Sequence, residues 1–165
     1  MTVTLVLGGA RSGKSAVAEG LVARALPPVT YVATTVVGDD ADLADRVRAH
    51  RARRPSWWRT AEVGAELPAL LRAMEGTLLV DSLGAWVAGA PDFAADVDGL
   101  CDALRERTGD AVVVSDEVGL GVHPSTDVGR RFRDALGDVN RAVAALADDA
   151  LLVVAGRVLR LDRVR

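Results

Sequence analysis

One cysteine, Cys101, stands in a chain of 165 residues. A lone thiol excludes an internal disulfide and any zinc site built on several cysteines. Aromatic residues make up only 4% of the sequence, while 50% is hydrophobic. Ala, Val and Leu must therefore build the core. No apolar run reaches the roughly 20 residues that a bilayer-spanning helix needs, so no obligatory membrane insertion is expected. The N-terminus leads straight into a strand-like run, without the pattern of a signal peptide. With the single cysteine, this predicts a cytoplasmic protein. A basic excess is missing too: 20 Lys and Arg stand against 23 Asp and Glu, for a net charge of -3. That balance offers no global reason to bind nucleic acid. Linkers, repeats and low-complexity stretches are also absent, so residues 1–165 are expected to form a single domain.

What is present begins with Gly8-Gly9-Ala10-Arg11-Ser12-Gly13-Lys14-Ser15, which fits Gly-x-x-x-x-Gly-Lys-Ser. A short aliphatic run, Thr2 to Leu7, precedes it, and a helix-like segment from Ala16 to Arg24 follows. Strand, glycine-rich turn and helix are the context this motif requires. Glycines let the backbone curl so that its N–H groups point at phosphate oxygens, and the helix N-terminus adds partial positive charge. Lys14 is expected to reach the β- and γ-phosphates, and the Ser15 hydroxyl to ligate Mg²⁺.

Five apolar runs alternate with helix-like segments: Val3–Leu7, Val29–Ala33, Thr77–Val80, Ala111–Val114 and Ala150–Val154. They are nearly continuous in Val and Leu, as strands buried on both faces of a parallel sheet are. Arg157–Leu161 is a sixth candidate. The short Ala155-Gly156 before it would force antiparallel pairing. The first helix carries Val17, Leu21, Val22 and Ala25 at helical spacing until Pro27-Pro28 stops it. Further helices are predicted at about 41–53, at Pro68–Met74, at Ala94–Arg107 and at Val128–Ala147, with Gly89 to Phe93 as a turn-rich break. Repeated β-α units predict an α/β fold, a P-loop NTPase-like sandwich with a mostly parallel central sheet.

Ligands of such sheets sit at the carboxyl ends of the strands. That rule gathers the P-loop, Thr34 and Thr35, Asp81 and Ser82, and Ser115, Asp116 and Glu117. Asp81 closes Leu78-Leu79-Val80-Asp81, the shape of a Walker B segment, where a carboxylate holds Mg²⁺ directly or through water. Asp116 and Glu117 hold the same place on the next strand, and one of them is a candidate acceptor for the proton of an attacking hydroxyl. The stretch Arg46 to Pro55 is rich in arginine and contains His50. Residues three and four apart share a helix face, so Leu43, Val47 and His50 align, with Arg46 one turn before and Arg53 and Arg54 one turn after. Guanidiniums around an imidazole suit an anionic substrate, and a neutral histidine can attack phosphorus. A solvated basic face, a nucleic-acid patch or a core histidine fits the same spacing. The carboxylate of Glu62 can accept the paired N1–H and N2–H₂ donors of guanine, which adenine lacks; a surface glutamate beside the next helix is the alternative. Trp57 and Trp58 either stack near a base or pack in the core.

These motifs together resemble the bifunctional adenosylcobinamide kinase / adenosylcobinamide-phosphate guanylyltransferase family of cobalamin biosynthesis. The resemblance is carried by Gly8 to Ser15, Tyr31-Val32-Ala33-Thr34, His50 through Arg54-Pro55 with Trp58-Arg59-Thr60-Ala61-Glu62, Glu117-Val118-Gly119-Leu120-Gly121 and Phe132-Arg133-Asp134. It implies two reactions. ATP or GTP phosphorylates the terminal hydroxyl of the aminopropanol arm of adenosylcobinamide. A histidine then takes GMP from GTP and passes it to adenosylcobinamide phosphate, giving adenosylcobinamide-GDP. The family's guanylylated histidine falls on His50. Its nucleotide contacts fall on Gly8, Gly9, Ala10, Arg11, Ser12, Gly13, Lys14 and Ser15, on Ala33, Thr34 and Thr35, on Arg51, Ala52, Arg53 and Arg54, on Glu62 and on Asp81. The chain departs from the family at Ala52, whose side chain can neither accept a hydrogen bond nor coordinate. His123 reads as a loop residue. The family forms oligomers, so a homo-oligomer is expected. The rival reading is a P-loop small-molecule kinase without guanylyltransferase activity.

Overall fold

The computed structural model describes residues 1–34 and 54–163. The aliphatic runs form strands because β-branched residues fit a pleated surface buried on both sides. The strands are β1 Val3–Gly8, β2 Val29–Ala33, β3 Arg59–Glu62, β4 Thr77–Asp81, β5 Ala111–Asp116, β6 Asp149–Val154 and β7 Arg157–Arg160. The helices are α1 Lys14–Val22, α2 Leu67–Ala73, α3 Leu83–Gly89, α4 Val97–Glu106 and α5 Asp127–Leu146, with a 3₁₀ turn at Pro91–Phe93. The seven strands lie in the order β3-β2-β4-β5-β1-β6-β7. Every neighbouring pair is parallel except β6 and β7. The antiparallel hairpin follows from the two-residue connection at Ala155 and Gly156, as anticipated.

Alternation along the strands divides the core into two layers. Leu5 and Leu7 of β1 join Leu78, Val80 and Val113 on the face covered by α2, α3, α4 and α5. Val6 turns to the other face, where Leu79, Val112 and Val114 meet Ala18 and Val22 of α1 and the ring of Trp58. Fully buried leucines such as Leu5, Leu100 and Leu136 each contribute about 1.5–3 kcal/mol relative to exposure. A buried arginine locks the larger layer. The Arg107 guanidinium donates to the carbonyls of Leu71, Met74 and Gly76 at 2.7, 2.8 and 2.6 Å, satisfying chain ends that helix α2 leaves open. Burial pushes its pKa down from the usual arginine range.

Several expectations are revised. Leu21 is 45% exposed, not inward: α1 buries Ala18 and Val22, four residues apart, and Leu21 is turned off that line. Strand β3 was missed because Arg59–Glu62 carries no apolar alternation and sits at a sheet edge. Helix α3 was missed because Leu83–Gly89 holds two glycines. Its N-terminus is capped by Ser82, whose hydroxyl accepts from the Ala85 N–H at 3.4 Å, and Leu83, Trp86 and Val87 anchor it in the core. The expected start of α4 at Ala94 moves to Val97, behind an Asp96 cap that accepts from the Gly99 N–H. The helix expected at about 41–53 lies outside the described residues.

Candidate functional site

Strand β1 ends at Gly8 and helix α1 begins at Lys14. Between them the chain turns through Arg11 at φ 58° and Gly13 at φ 92°. Gly13 adopts that left-handed conformation at little cost, while Arg11 adopts it under strain of the kind that persists at ligand sites. A Cβ at Gly8 would come 2.5 Å from Ser12 Oγ and 2.8 Å from the Val153 carbonyl, so only glycine lets the loop pass. The loop is tied to the β6–β7 hairpin by the Gly156 N–H, which donates to the Ser12 carbonyl at 2.8 Å.

Lys14 is the single lysine of the sequence. Its ammonium lies 2.8 Å from Asp116 Oδ1 and 3.4 Å from the Gly9 carbonyl. Asp116 reaches it because register places Gly8 of β1 directly beside Asp116 of β5. The Ser82 hydroxyl donates to the other oxygen of Asp116 at 3.4 Å. A side chain at Gly84 would overlap that carboxylate. Behind it, Asn140 of α5 donates to the Asp116 carbonyl at 3.0 Å and accepts from the Ser115 hydroxyl at 2.5 Å. This polar pair pins the end of β5 from inside the core. Asn140 was overlooked in the sequence, although a polar residue on the apolar stripe of Leu136, Val139 and Val143 is the signal that exposes it.

The carboxyl ends of β2, β4 and β3 form a second row. Ala33 lies beside Asp81 on one side and beside Glu62 on the other. Asp81 accepts from the Tyr31 hydroxyl at 3.2 Å. Burial, then the Asp81 charge, pushes the Tyr31 phenol above the usual tyrosine range. Arg54 stacks on the Tyr31 ring, 3.2 Å from its centroid, and pairs with Glu19 at 3.7 Å. Thr34 stitches β2 to β4: its hydroxyl donates to the Ser82 carbonyl at 2.6 Å and accepts the Ser82 N–H at 2.8 Å. Trp58 packs in the core, whereas Trp57 is exposed. His123 is an exposed loop residue whose Nδ1 meets Arg133 at 2.9 Å. Thr35, His50, Arg51, Ala52 and Arg53 lie outside the described residues.

Two clefts flank these groups. One of about 330 Å³ opens between Thr34, Gly64, Ala65 and the Trp86 and Gly89 positions of α3. The other, of about 430 Å³, lies between Gly9–Ser12 of the P-loop, Glu117, Leu120 and the end of β6. For a metal, the described residues hold no cluster of three His, Cys, Asp or Glu. Ser15 in the first turn of α1, with Asp81 and Asp116 at strand ends, instead offers the sparse set of hard oxygens that suits Mg²⁺ shared with phosphates and water. No helix among the described residues is long and apolar enough to cross a membrane.

The fold is shared with solved structures of low sequence identity. The ATPase of a bacterial type III secretion system superposes with a TM-score of 0.55 at 13% identity, over 92% of this chain and 50% of that one. The chain thus spans half the length of that ATPase. The flagellar accessory protein FlaH of Methanocaldococcus jannaschii gives 0.50 at 15% identity, over 95% of this chain and 74% of that one. The architecture is the α/β P-loop NTPase-like sandwich expected. In sequence, the bifunctional adenosylcobalamin biosynthesis protein CobP of Pseudomonas aeruginosa is 40% identical, over 92% of each chain. The bifunctional adenosylcobalamin biosynthesis protein CobU of Salmonella typhimurium is 38% identical, over 92% of this chain and 95% of that one. The family model described as cobinamide kinase / cobinamide phosphate guanyltransferase matches residues 4–161. Matched nearly from end to end, with the P-loop, its lysine and the strand-end carboxylates in place, the chain belongs to the cobinamide kinase / cobinamide phosphate guanyltransferase family of transferases.

Proposed function

We propose that one P-loop domain carries out both reactions of the family. In the first, the aminopropanol hydroxyl of adenosylcobinamide takes the γ-phosphoryl group of ATP or GTP. In the second, His50 attacks the α-phosphorus of GTP, pyrophosphate leaves, and the GMP passes to adenosylcobinamide phosphate. The observation that carries this reading is the family match over residues 4–161 together with a P-loop lysine held beside a strand-end carboxylate at 2.8 Å. Lys14 and the loop amides hold the phosphates. Mg²⁺ would be held by Ser15 and the strand-end carboxylate of Asp81, and would neutralise phosphate charge when bound.

Glu62 is assigned to guanine. It stands beside Ala33 in the row that ends with Asp81, at the edge of the sheet away from the hairpin. Ala33, Thr34 and Thr35, and Arg51, Ala52, Arg53 and Arg54 after His50 in the sequence, are the further residues proposed to contact the nucleotide. Arg54, over Tyr31, is the member of the 51–54 run among the described residues. The protein is proposed to act in the cytoplasm as a homo-oligomer, without nucleic acid.

The test is α-labelled GTP added to purified protein, followed by acid treatment. Acid-labile, base-stable label on the wild type and none on His50→Ala supports the assignment, with phosphorylation of adenosylcobinamide retained by the variant. Undiminished label on His50→Ala moves the nucleophile to His123, the other histidine. No label on a wild type that phosphorylates adenosylcobinamide supports the simple-kinase reading instead.

A further inference from the structure

The ends of β5 present two adjacent carboxylates in unlike surroundings. Asp116 is engaged on both oxygens, by the Lys14 ammonium and the Ser82 hydroxyl. Glu117 is not so engaged. Its Oε1 accepts the Gly119 N–H at 2.6 Å, and among the described residues no lysine or arginine pairs with it. Its own N–H donates to the Gly8 carbonyl at 3.1 Å, which fixes it against the P-loop. Glu117 and Gly9–Ser12 of the P-loop line the same cleft of about 430 Å³. The outer lips of that cleft are apolar and uncovered: Leu120 is 79% exposed and Val154 is 58% exposed.

We propose that this cleft is the acceptor subsite of the kinase step and that Glu117 receives the proton of the acceptor hydroxyl. The inference rests on the proposed function, and above all on the assignment of Glu62 to the base. Sheet order decides the side. Glu62 lies on β3, four strand steps from β1, on the order of 19 Å at about 4.8 Å per step. A nucleotide whose phosphates sit in the P-loop and whose base reaches Glu62 extends across β5, β4 and β2. Phosphoryl transfer places the attacking and leaving oxygens roughly in line with phosphorus. The acceptor must then enter from the opposite side of the loop, over β6, where this cleft lies. The cleft is too small for a whole corrinoid but suits its aminopropanol arm. Leu120 and Val154 are placed to cover the apolar periphery of the ring.

The step balances. The acceptor O–H bond breaks and its proton passes to the Glu117 carboxylate. The acceptor oxygen bonds the γ-phosphorus, the bond from γ-phosphorus to the bridging oxygen breaks, and the nucleoside diphosphate leaves. Glu117 then returns the proton to solvent.

Steady-state kinetics of the full-length protein, with ATP and adenosylcobinamide varied separately, test the proposal. Glu117→Gln should lower kcat of the kinase step on the order of 10²–10³-fold, with the KM for ATP changed less than twofold. Leu120→Asp and Val154→Asp alter exposed side chains and so spare the fold. Each should raise the KM for adenosylcobinamide at least fivefold and leave the KM for ATP within twofold. Unchanged acceptor KM in both lip variants, or an unchanged kcat in Glu117→Gln, overturns the proposal. A rise in nucleotide KM alone would give the cleft to the nucleotide and overturn it equally. Failure of the underlying reading looks different: the wild type itself would neither phosphorylate adenosylcobinamide nor take label from GTP.

Discussion

Replacing Lys14 with alanine separates what this residue does for the fold from what it does for the ligand. Its ammonium stands 2.8 Å from Asp116, with the two side chains 13% and 31% exposed. At an effective dielectric near 20, unit charges at that distance attract by about 6 kcal/mol before desolvation is counted. Desolvation cancels most of this. Asp116 keeps the Ser82 hydroxyl and some water, so the expected net loss is about 1–2 kcal/mol. In a domain of this size that is about 2–8 °C in Tm. The ligand loses more. A charge-assisted hydrogen bond to phosphate contributes about 1.5–3 kcal/mol, or roughly 10- to 150-fold in nucleotide affinity. Removing a cation that meets charge developing in the transition state should lower kcat by a further 10²–10³-fold or so. The double variant Lys14→Ala/Asp116→Asn removes both charges. It should recover most of the lost Tm but none of the affinity. Titration with a fluorescent GTP analogue, thermal denaturation and both enzyme assays read these effects apart. Affinity within twofold of wild type would refute the placement of the phosphates. Normal guanylylation in a variant without kinase activity would refute a shared phosphate site.

The remaining predictions concern the row of side chains across β3, β2 and β4. Glu62→Gln keeps the shape of the side chain but turns an NH₂ group toward guanine donors, so the KM for GTP should rise on the order of 10- to 100-fold. Phosphorylation driven by ATP should change less than threefold, and equal losses with both nucleotides would assign Glu62 to the fold instead. Tyr31 is tested by pH. Its phenol is held protonated in the folded state by burial and by Asp81, above the value of about 10 that it has when unfolded. A group whose folded pKa is raised stabilises the protein below its unfolded pKa, and that contribution is lost as pH climbs through the raised value. Stability should therefore fall above about pH 10. Tyr31→Phe should flatten that alkaline decline in denaturant titrations at pH 8 to about pH 11, and an unchanged slope would refute the linkage.

The parts of the fold that could be read from the chain are those where one physical term dominates. Val3–Gly8, Thr77–Asp81 and Ala111–Asp116 are buried on both faces, so continuous aliphatic composition marks them directly. Helix α5 carries a clean apolar stripe and a Thr126 cap that accepts from the Gly129 N–H. The elements that escaped notice depend on partners distant in sequence. Arg59–Glu62 becomes a strand only because β2 offers it a free edge. Leu83–Gly89 becomes a helix because Ser82 caps it and the core accepts Trp86. The same division holds in the site. Gly8 to Ser15 is legible as a motif because its chemistry is local. The pairing of Lys14 with Asp116 spans a hundred residues and depends on β5 lying between β1 and β4, an order that no spacing in the chain encodes.

That strand order also bears on how one loop can serve two transfers. With β5 inserted beside β1, the carboxylate nearest the P-loop is Asp116, and Asp81 is displaced by one strand toward Tyr31 and the Glu62 edge. Asp81 therefore stands between the Glu62 edge and the phosphate end, where Asp116 and Glu117 lie. In the proposed scheme the two reactions consume separate triphosphates and cut them at different phosphorus atoms. Attack at the γ-phosphorus needs an acceptor over β6; attack at the α-phosphorus needs a nucleophile nearer the nucleoside. A nucleotide laid across the sheet from the P-loop to Glu62 presents each phosphorus to a different neighbourhood, so the two successive nucleotides can bind in one orientation. The two chemistries then differ in which group is brought to a nucleotide held in that one orientation. The consequence is specific: substitutions at the β6 lip, such as Leu120→Asp, should act on the acceptor and not on the nucleotide, whereas substitutions in the Glu62 row should act on GTP in both steps. Lip variants that shift the KM for GTP as strongly as the KM for adenosylcobinamide would mean that the nucleotide changes its orientation between the two reactions.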